Sequence, residues 1–274
     1  MLQNSTLYLI PTPIGNLSDM TYRGVQVLHD VDMIYAEDTR TSGILLKHYD
    51  IKTPMKSYHK FNEKARCEVI INQLKEGQKI AIISDAGTPG ISDPSNVIVK
   101  EVIECGFQVV PLPGATAMIP ALVASGYDTQ LFFMAGFLPH KKKEKDTLLS
   151  KLSNLDVPII FYESPHRLQK FLTEIQGFFN NADICIAREI SKLFETFYRG
   201  KLNDILNDFD KITLKGEFVI VVIPEKKCEN TEDKIIQQYE NMYKELSVNK
   251  ASRQIAEDLG LSKNQVYEVL LKSQ

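Results

Sequence analysis

The chain has 274 residues, 43% of them hydrophobic and 24% charged, with a net charge of −3, the balance of a folded protein with room for two ordinary domains and a small extra element. So small a net charge excludes a global basic field for nucleic acid, and any RNA contact must rest on a local patch. There is no run of 18 apolar residues to argue for a membrane span. The opening MLQNSTLYLIPTPIGN has neither a charged n-region nor a long apolar h-region, so a cytoplasmic location is expected. Cys67, Cys105, Cys185 and Cys228 form no C-x-x-C pair and read as plain thiols in a reducing compartment.

Apolar runs alternate with amphipathic stretches over the first 225 residues. Residues 7–10 form a short apolar run ending in Pro-Thr-Pro. Residues 32–36 (DMIYA) end in Glu37-Asp38. Residues 79–84 (KIAIIS) enter a glycine-rich loop, and 107–111 precede Pro113-Gly114. Between these runs the apolar spacing predicts helices over 22–28, 41–48, 62–75 and 93–105. Residues 114–125 (GATAMIPALVAS) read as a helix of small side chains, with Pro120 placed to kink it. Strands separated by helices of this length predict a mostly parallel sheet.

A second series begins near Thr129. Strands are predicted over 131–137, 157–163, 184–188, 194–200 and 217–223, and helices over 141–152 and 166–179. The last strands follow one another with little helix between them, so this sheet should be mixed. The expected architecture is α/β with two lobes, 1–126 and 127–224, divided in the polar turn 126–130. A charged linker, 225–233, leads to a tail read as helical from 234 to 272. Within it, 251–259, Gly260 and 262–271, with Ser262 as N-cap, give a helix-turn-helix pattern. From Lys226 onward the tail carries eight Lys and Arg and eight Asp and Glu, so its charge does not favour DNA reading over packing.

There is no G-x-G-x-x-G after the first strand, no G-x-x-x-x-G-K-[ST] and no H-E-x-x-H. A dinucleotide fingerprint, a P-loop and a zinc-protease helix are therefore unsupported. The polar loops cluster instead at the C-terminal ends of predicted strands, the edge where open α/β sheets bind ligands. PTPIGN begins at Pro11, EDTR at Glu37, SDAGTPGISDPS at Ser84 and PGAT at Pro113. The Ser84 loop is the richest. Gly87 and Gly90 permit positive φ and close approach, Pro89 and Pro94 stiffen it, and Asp85 and Asp93 offer carboxylates. Ser92 or Asp93 is placed to cap the next helix. In the second lobe, FYESPHR brings Glu163, His166 and Arg167 to a strand-to-helix turn, and Arg188, Glu189, Lys192 and Glu195 form a charge run at a strand edge. His29, His48 and His140 read as surface residues. His59, in a polar aromatic loop, is the better candidate for substrate contact.

Taken in order, LYLIPTPIGNLSDMTYRG, AEDTRTSGILLKHY, SDAGTPGISDPS, LPGATAMIPALVASG, FFMAGFLP, FYESPHRL and AREISKLFETFYRG resemble the ribosomal RNA small subunit methyltransferase I family of the tetrapyrrole-methylase superfamily. The likeness runs from about Leu7 to Pro224, and the C-terminal helices look like that family's helix-turn-helix extension. Ser95 stands where the family usually has glycine, and the PLPGATA segment varies on the family's usual pattern. The resemblance implies a two-lobed class III methyltransferase fold with S-adenosylmethionine as methyl donor. It implies as acceptor the 2′-hydroxyl of a cytidine in the decoding region of 16S ribosomal RNA, within an assembled or nearly assembled small subunit. It also implies a homodimer.

On that reading no metal is needed, and the expected donor-binding residues are Pro11, Asp85, Ala86, Gly87, Thr88, Pro89, Gly90, Ile91, Ala115, Thr116, Met134, Gly136, Phe137, Gly216 and Glu217. In a metal-free transfer Asp85 and Asp93 should shape the loop and bind polar groups of the donor. A ribose hydroxyl is a weak nucleophile, so a base should assist. Asp38, Glu163 and Arg188 are the catalytic candidates, and Glu37, Arg40, His59, Arg167, Glu189 and Lys192 complete the set for proton removal or RNA contact. Lys141, Lys142, Lys143 and Lys145 are the expected basic surface for RNA. Two alternatives stand beside this reading: a methyltransferase of the same fold acting on a tetrapyrrole-type small molecule, and a non-catalytic nucleic-acid-binding sensor built on the helix-turn-helix.

Overall fold

The computed structural model describes residues 2–59, 63–93, 95–225 and 231–273. Pro94, Cys228 and most of the expected linker fall outside them. The chain forms two compact units, 1–225 and 226–274.

Among the described residues the first unit holds two five-stranded sheets. One contains β1 (Thr6–Ile10), β2 (Met33–Ala36), β3 (Met55–Ser57), β4 (Lys79–Ile83) and β5 (Gln108–Pro111) in the order β3-β2-β4-β1-β5. Every pairing in it is parallel, because the crossovers are helices: α1 (Tyr22–Asp30), α2 (Thr39–His48), α3 (Glu63–Lys75) and α4 (Ser95–Glu104). Its three inner strands, β2, β4 and β1, are buried on both faces. Tyr8, Ile10, Ile34, Ala81 and Ile83 face one core, and Leu7, Tyr35, Ile80 and Ile82 the other, the period-2 alternation of a pleated strand. β3 escaped the sequence reading, since three residues of MKS show no periodicity.

The second sheet contains β6 (Phe133–Gly136), β7 (Ile159–Glu163), β8 (Asp183–Arg188), β9 (Thr196–Lys201) and β10 (Phe218–Ile223), in the order β6-β7-β10-β8-β9. It is mixed, as expected. β6 runs parallel to β7, and the other pairs are antiparallel. α6 (Lys142–Leu152), α7 (Leu168–Gln176) and the unpredicted α8 (Leu202–Asn207) accompany it. One face carries Ile159, Phe161, Ile184, Ile186, Phe218 and Ile220 against these helices. The opposite face, with Ile160, Cys185, Ala187 and Val221, packs on Ala121 and Leu122 of α5 (Met118–Ser125). Thus α5, reached directly from β5, lies on the other sheet and ties the two together.

Two local expectations change. α5 begins at Met118, four residues later than read, so Pro120 falls in its first turn. There its missing N–H has no intrahelical partner to lose, and it starts the helix without kinking it. The tail is not continuously helical. α9 (Thr231–Gln238) passes into a π-helical turn, Tyr239–Tyr243, and α10 (Val248–Leu259) and α11 (Lys263–Lys272) follow. Gly260 ends α10 in the left-handed region. Ser262 caps α11 in a capping box with Gln265. Ile235, Ala251, Ile255, Val266 and Leu270 form this unit's own core.

Candidate functional site

The loops after β1, β2, β4 and β5 leave the same edge of the parallel sheet, and side chains and backbone lock them together. Thr12 and Gly87 exchange both backbone hydrogen bonds at 2.9 Å. The Thr12 hydroxyl donates to the Ser84 carbonyl, and the Ser84 hydroxyl to the Gly87 carbonyl. Thr88 Oγ1 donates to the Ala115 carbonyl, joining the β4 and β5 loops. Asp85 Oδ1 accepts the Asp38 amide. Asp93 accepts the amides of Gly90 and Ser95 on its two oxygens. Asp85 and Asp93 therefore brace the loop, Asp93 also securing the start of α4. Gly87 has φ +83°, a conformation that favours glycine. Its N–H and C=O are both used by Thr12.

Above this edge lies a cavity of about 430 Å³. Its first-sheet side is Ile14, Glu37, residues 84–88 and 91–93, Thr116 and Ala117. Its second-sheet side is Phe137, residues 162–165, Ile190 and residues 216–219. The size and the mixture of apolar wall and few polar groups suit a small organic ligand. Among the described residues no lysine or arginine lines it, whereas Glu37, Asp85, Asp93, Glu163 and Glu217 do, so the field favours a cationic guest. Burial, and then the nearby Asp85, Asp93 and Asp38, push the Glu37 carboxyl above its ordinary value. Burial likewise raises Asp85. Burial raises the Tyr162 phenol, against hydrogen bonds with Thr116 and the Met118 backbone, and these bonds bring the β7 and β5 loops together.

A second set of contacts closes the far side. The Lys192 ammonium donates to Glu189 at 2.8 Å and to Glu217 at 3.0 Å. Burial works against the ionised Glu189, but Lys192, the Glu217 amide and Arg188 outweigh it and hold its carboxyl below its ordinary value. The Lys192 stem covers Gly15, where a Cβ would sit 2.3 Å from Lys192 Cγ. Ser191 donates to Asp19. Glu189 and Ser191 both have positive φ, +54° and +66°, strain that these contacts sustain.

Of the expected donor residues, Asp85, Ala86, Gly87, Thr88, Ile91, Thr116, Phe137, Gly216 and Glu217 line the cavity. Pro11, Pro89, Gly90, Ala115, Met134 and Gly136 lie outside its wall. Pro11 packs on Gly114, whose Cβ would come within 2.6 Å of its ring, so the small residue there serves packing against proline. Met134, partly buried on β6, packs against the cluster of Ile160, Cys185 and Val221. Of the catalytic candidates only Glu163 lines the cavity. Asp38 caps α2 and makes a bidentate pair with Arg40, which pulls its carboxyl down to about 2. Arg188 is buried, and its guanidinium donates to the carbonyls of Lys215 and Phe194, so it holds the loops beneath the site together. Lys145 departs from the expected basic surface: it is buried and paired with Glu174. His59 follows β3 and does not line the cavity. Sequence reading missed Ile14, Tyr162, Ile190, Phe218 and Val219. For Tyr162 a signal existed: on β7 it alternates with Phe161 and Glu163, so it points to the face opposite the main core.

Comparison with known proteins places this geometry in a class. The family model of tetrapyrrole (corrin/porphyrin) methylases matches residues 6–206. Cobalt precorrin-4 methyltransferase, a cobalamin biosynthetic enzyme, superposes with a TM-score of 0.58 at 16% identity, over 80% of this chain and 94% of that one. Diphthine synthase superposes at 0.65 and 12%, over 80% and 90%. A Synechocystis sp. protein named ribosomal RNA small subunit methyltransferase I is 44% identical over 97% of both chains. A Bacillus subtilis protein of the same name is 46% identical over 79% of this chain and 74% of its own. The chain belongs to the tetrapyrrole methylases, and within them to the ribosomal RNA small subunit methyltransferase I family. It is a methyltransferase whose methyl donor is S-adenosylmethionine.

Proposed function

We propose that the chain methylates the 2′-hydroxyl of a cytidine ribose in the decoding region of 16S ribosomal RNA, with a small ribosomal subunit as substrate. The observation that carries this reading is the cavity, in a chain 44% identical over 97% of its length to a relative bearing the small-subunit methyltransferase name. The choice of a cytidine ribose rests on the combined motifs AEDTR, SDAGTPGISDP and FYESPHRL.

S-adenosylmethionine supplies a methyl carbon already activated on a sulfonium, so the protein's work is alignment. Its positive charges suit the carboxylates of Glu37 and Asp85. Phe137, Ile190, Phe218 and Val219 offer apolar surface for a flat base. Asp85–Thr88, Ile91, Thr116, Gly216 and Glu217 are the proposed donor contacts, and Pro89, Gly90, Ala115 and Gly136 hold those contacts in shape. RNA is met by Lys142 and Lys143, both exposed at the start of α6. Ile119, Val123, Leu131, Phe132 and Phe133 expose an unusual run of large apolar side chains and are the proposed contact in a homodimer.

The test is incubation with labelled S-adenosylmethionine and small subunits lacking the modification, with label then mapped to the nucleoside. Label on a cytidine ribose is expected. Label on a base, on no RNA, or on a tetrapyrrole alone overturns the reading.

A further inference from the structure

The surroundings of Glu163 distinguish it from every other carboxylate in the cavity wall. Its side chain is 1% exposed. Oε1 accepts the Ser164 amide at 2.8 Å. Among the described residues Oε2 is buried without a hydrogen-bond partner, and it lies 3.5 Å from the Arg167 guanidinium, too far for a good hydrogen bond. A buried acceptor left open is costly unless something completes it. The other acids are differently engaged. Asp85 accepts the Asp38 amide, Asp93 accepts two amides, and Glu217 pairs with Lys192. Glu37 is flanked by acids on every side that charge acts upon it. Arg167 is itself held from the outside, its Nη1 3.3 Å from His140 Nδ1.

We propose that Glu163 Oε2 accepts the proton of the substrate hydroxyl, and that Arg167, steadied by His140, is the positioning residue that fixes this oxygen. The proposal rests on the ribose reading above. The hydroxyl O–H bond breaks and its proton forms the Glu163 carboxylic acid. The electron pair left on oxygen makes the new O–CH₃ bond while the carbon–sulfur pair returns to sulfur, leaving a neutral ether and a neutral thioether. Glu163 then loses its proton to water.

The experiment measures methyl transfer to small subunits lacking the modification and, separately, binding of S-adenosylhomocysteine by calorimetry. Glu163→Gln is expected to lower kcat by about 100-fold or more, within the range for a positioned base, with KM for the subunit and S-adenosylhomocysteine affinity within about threefold of wild type. Arg167→Met is expected to lower kcat by about 10-fold at unchanged KM, with Arg167→Lys recovering most of it. A Glu163→Gln protein that keeps kcat within about threefold overturns the proposal. So does one that loses S-adenosylhomocysteine binding in step with kcat, since Glu163 would then hold the donor. If Glu163→Gln fails to fold, Glu163→Asp and Arg167→Met decide by the same split. Wild-type protein that places no label on ribose overturns the ribose reading, whereas wild type and Glu163→Gln labelling ribose equally overturn only the role of Glu163.

Discussion

Glu37 sits beside Asp85, Asp93 and Asp38, half withdrawn from water, and its carboxyl is pushed above the ordinary 4.5 by that burial and those neighbours. The native state therefore binds this proton more tightly than the unfolded chain. The resulting cost is absent below about 4.5 and grows as pH rises through the raised value. Glu37→Gln should raise the melting temperature at pH 7 by about 1–3 °C, an advantage that disappears on acidification toward pH 4. The same change should weaken S-adenosylmethionine binding, measured by calorimetry, because a cationic guest is what makes the crowded acids tolerable. An unaltered affinity would separate Glu37 from the donor. Gly216 makes a second point. It has φ +90°, and a Cβ there would fall 2.1 Å from the Glu189 carboxyl carbon. Gly216→Ala should displace Glu189 from Lys192 and reduce donor affinity by about 10-fold or more.

At the scale of elements, sequence was most informative where chemistry is written in backbone-restricting residues. The glycines and prolines of the loop starting at Ser84 mark a specially shaped connection without any neighbour being known. The parallel and mixed character of the two sheets followed from the presence or absence of helices between strands. What stayed hidden depends on partners distant in sequence. Arg188 reads as a reactive cation until the Lys215 and Phe194 carbonyls are seen to absorb its donors. Lys145 reads as part of a basic run, yet with Leu149 and Leu152 it lies on the inward stripe of α6, a spacing that was there to be used. Its ammonium is held by Glu174 of α7. Lys145→Ala should cost about 3 kcal/mol in urea unfolding, since it leaves Glu174 without its buried partner. Joint replacement by Met and Leu should recover much of that loss.

Over the whole molecule, the hydrophobic cores divide cleanly. Among the described residues, the four clusters of the first unit draw on residues up to Ile223, and that of the second on residues from Ile235 onward. A chain ending at Glu225 should therefore keep its melting temperature within about 3 °C and bind S-adenosylhomocysteine normally. A large loss of either would mean that the tail helps to build the first unit. Effects of the truncation confined to methylation of intact subunits would assign the tail to substrate engagement.

The pairing of Thr12 with Gly87, with its supporting hydroxyls, also has a kinetic consequence. These hydrogen bonds are all made within the protein, between Thr12, Ser84 and Gly87, so the amide protons of Thr12 and Gly87 should exchange with solvent slowly whether or not a ligand is bound. Ligand arrival should then appear in stopped flow as a single phase whose rate rises linearly with concentration, with no plateau set by a preceding rearrangement.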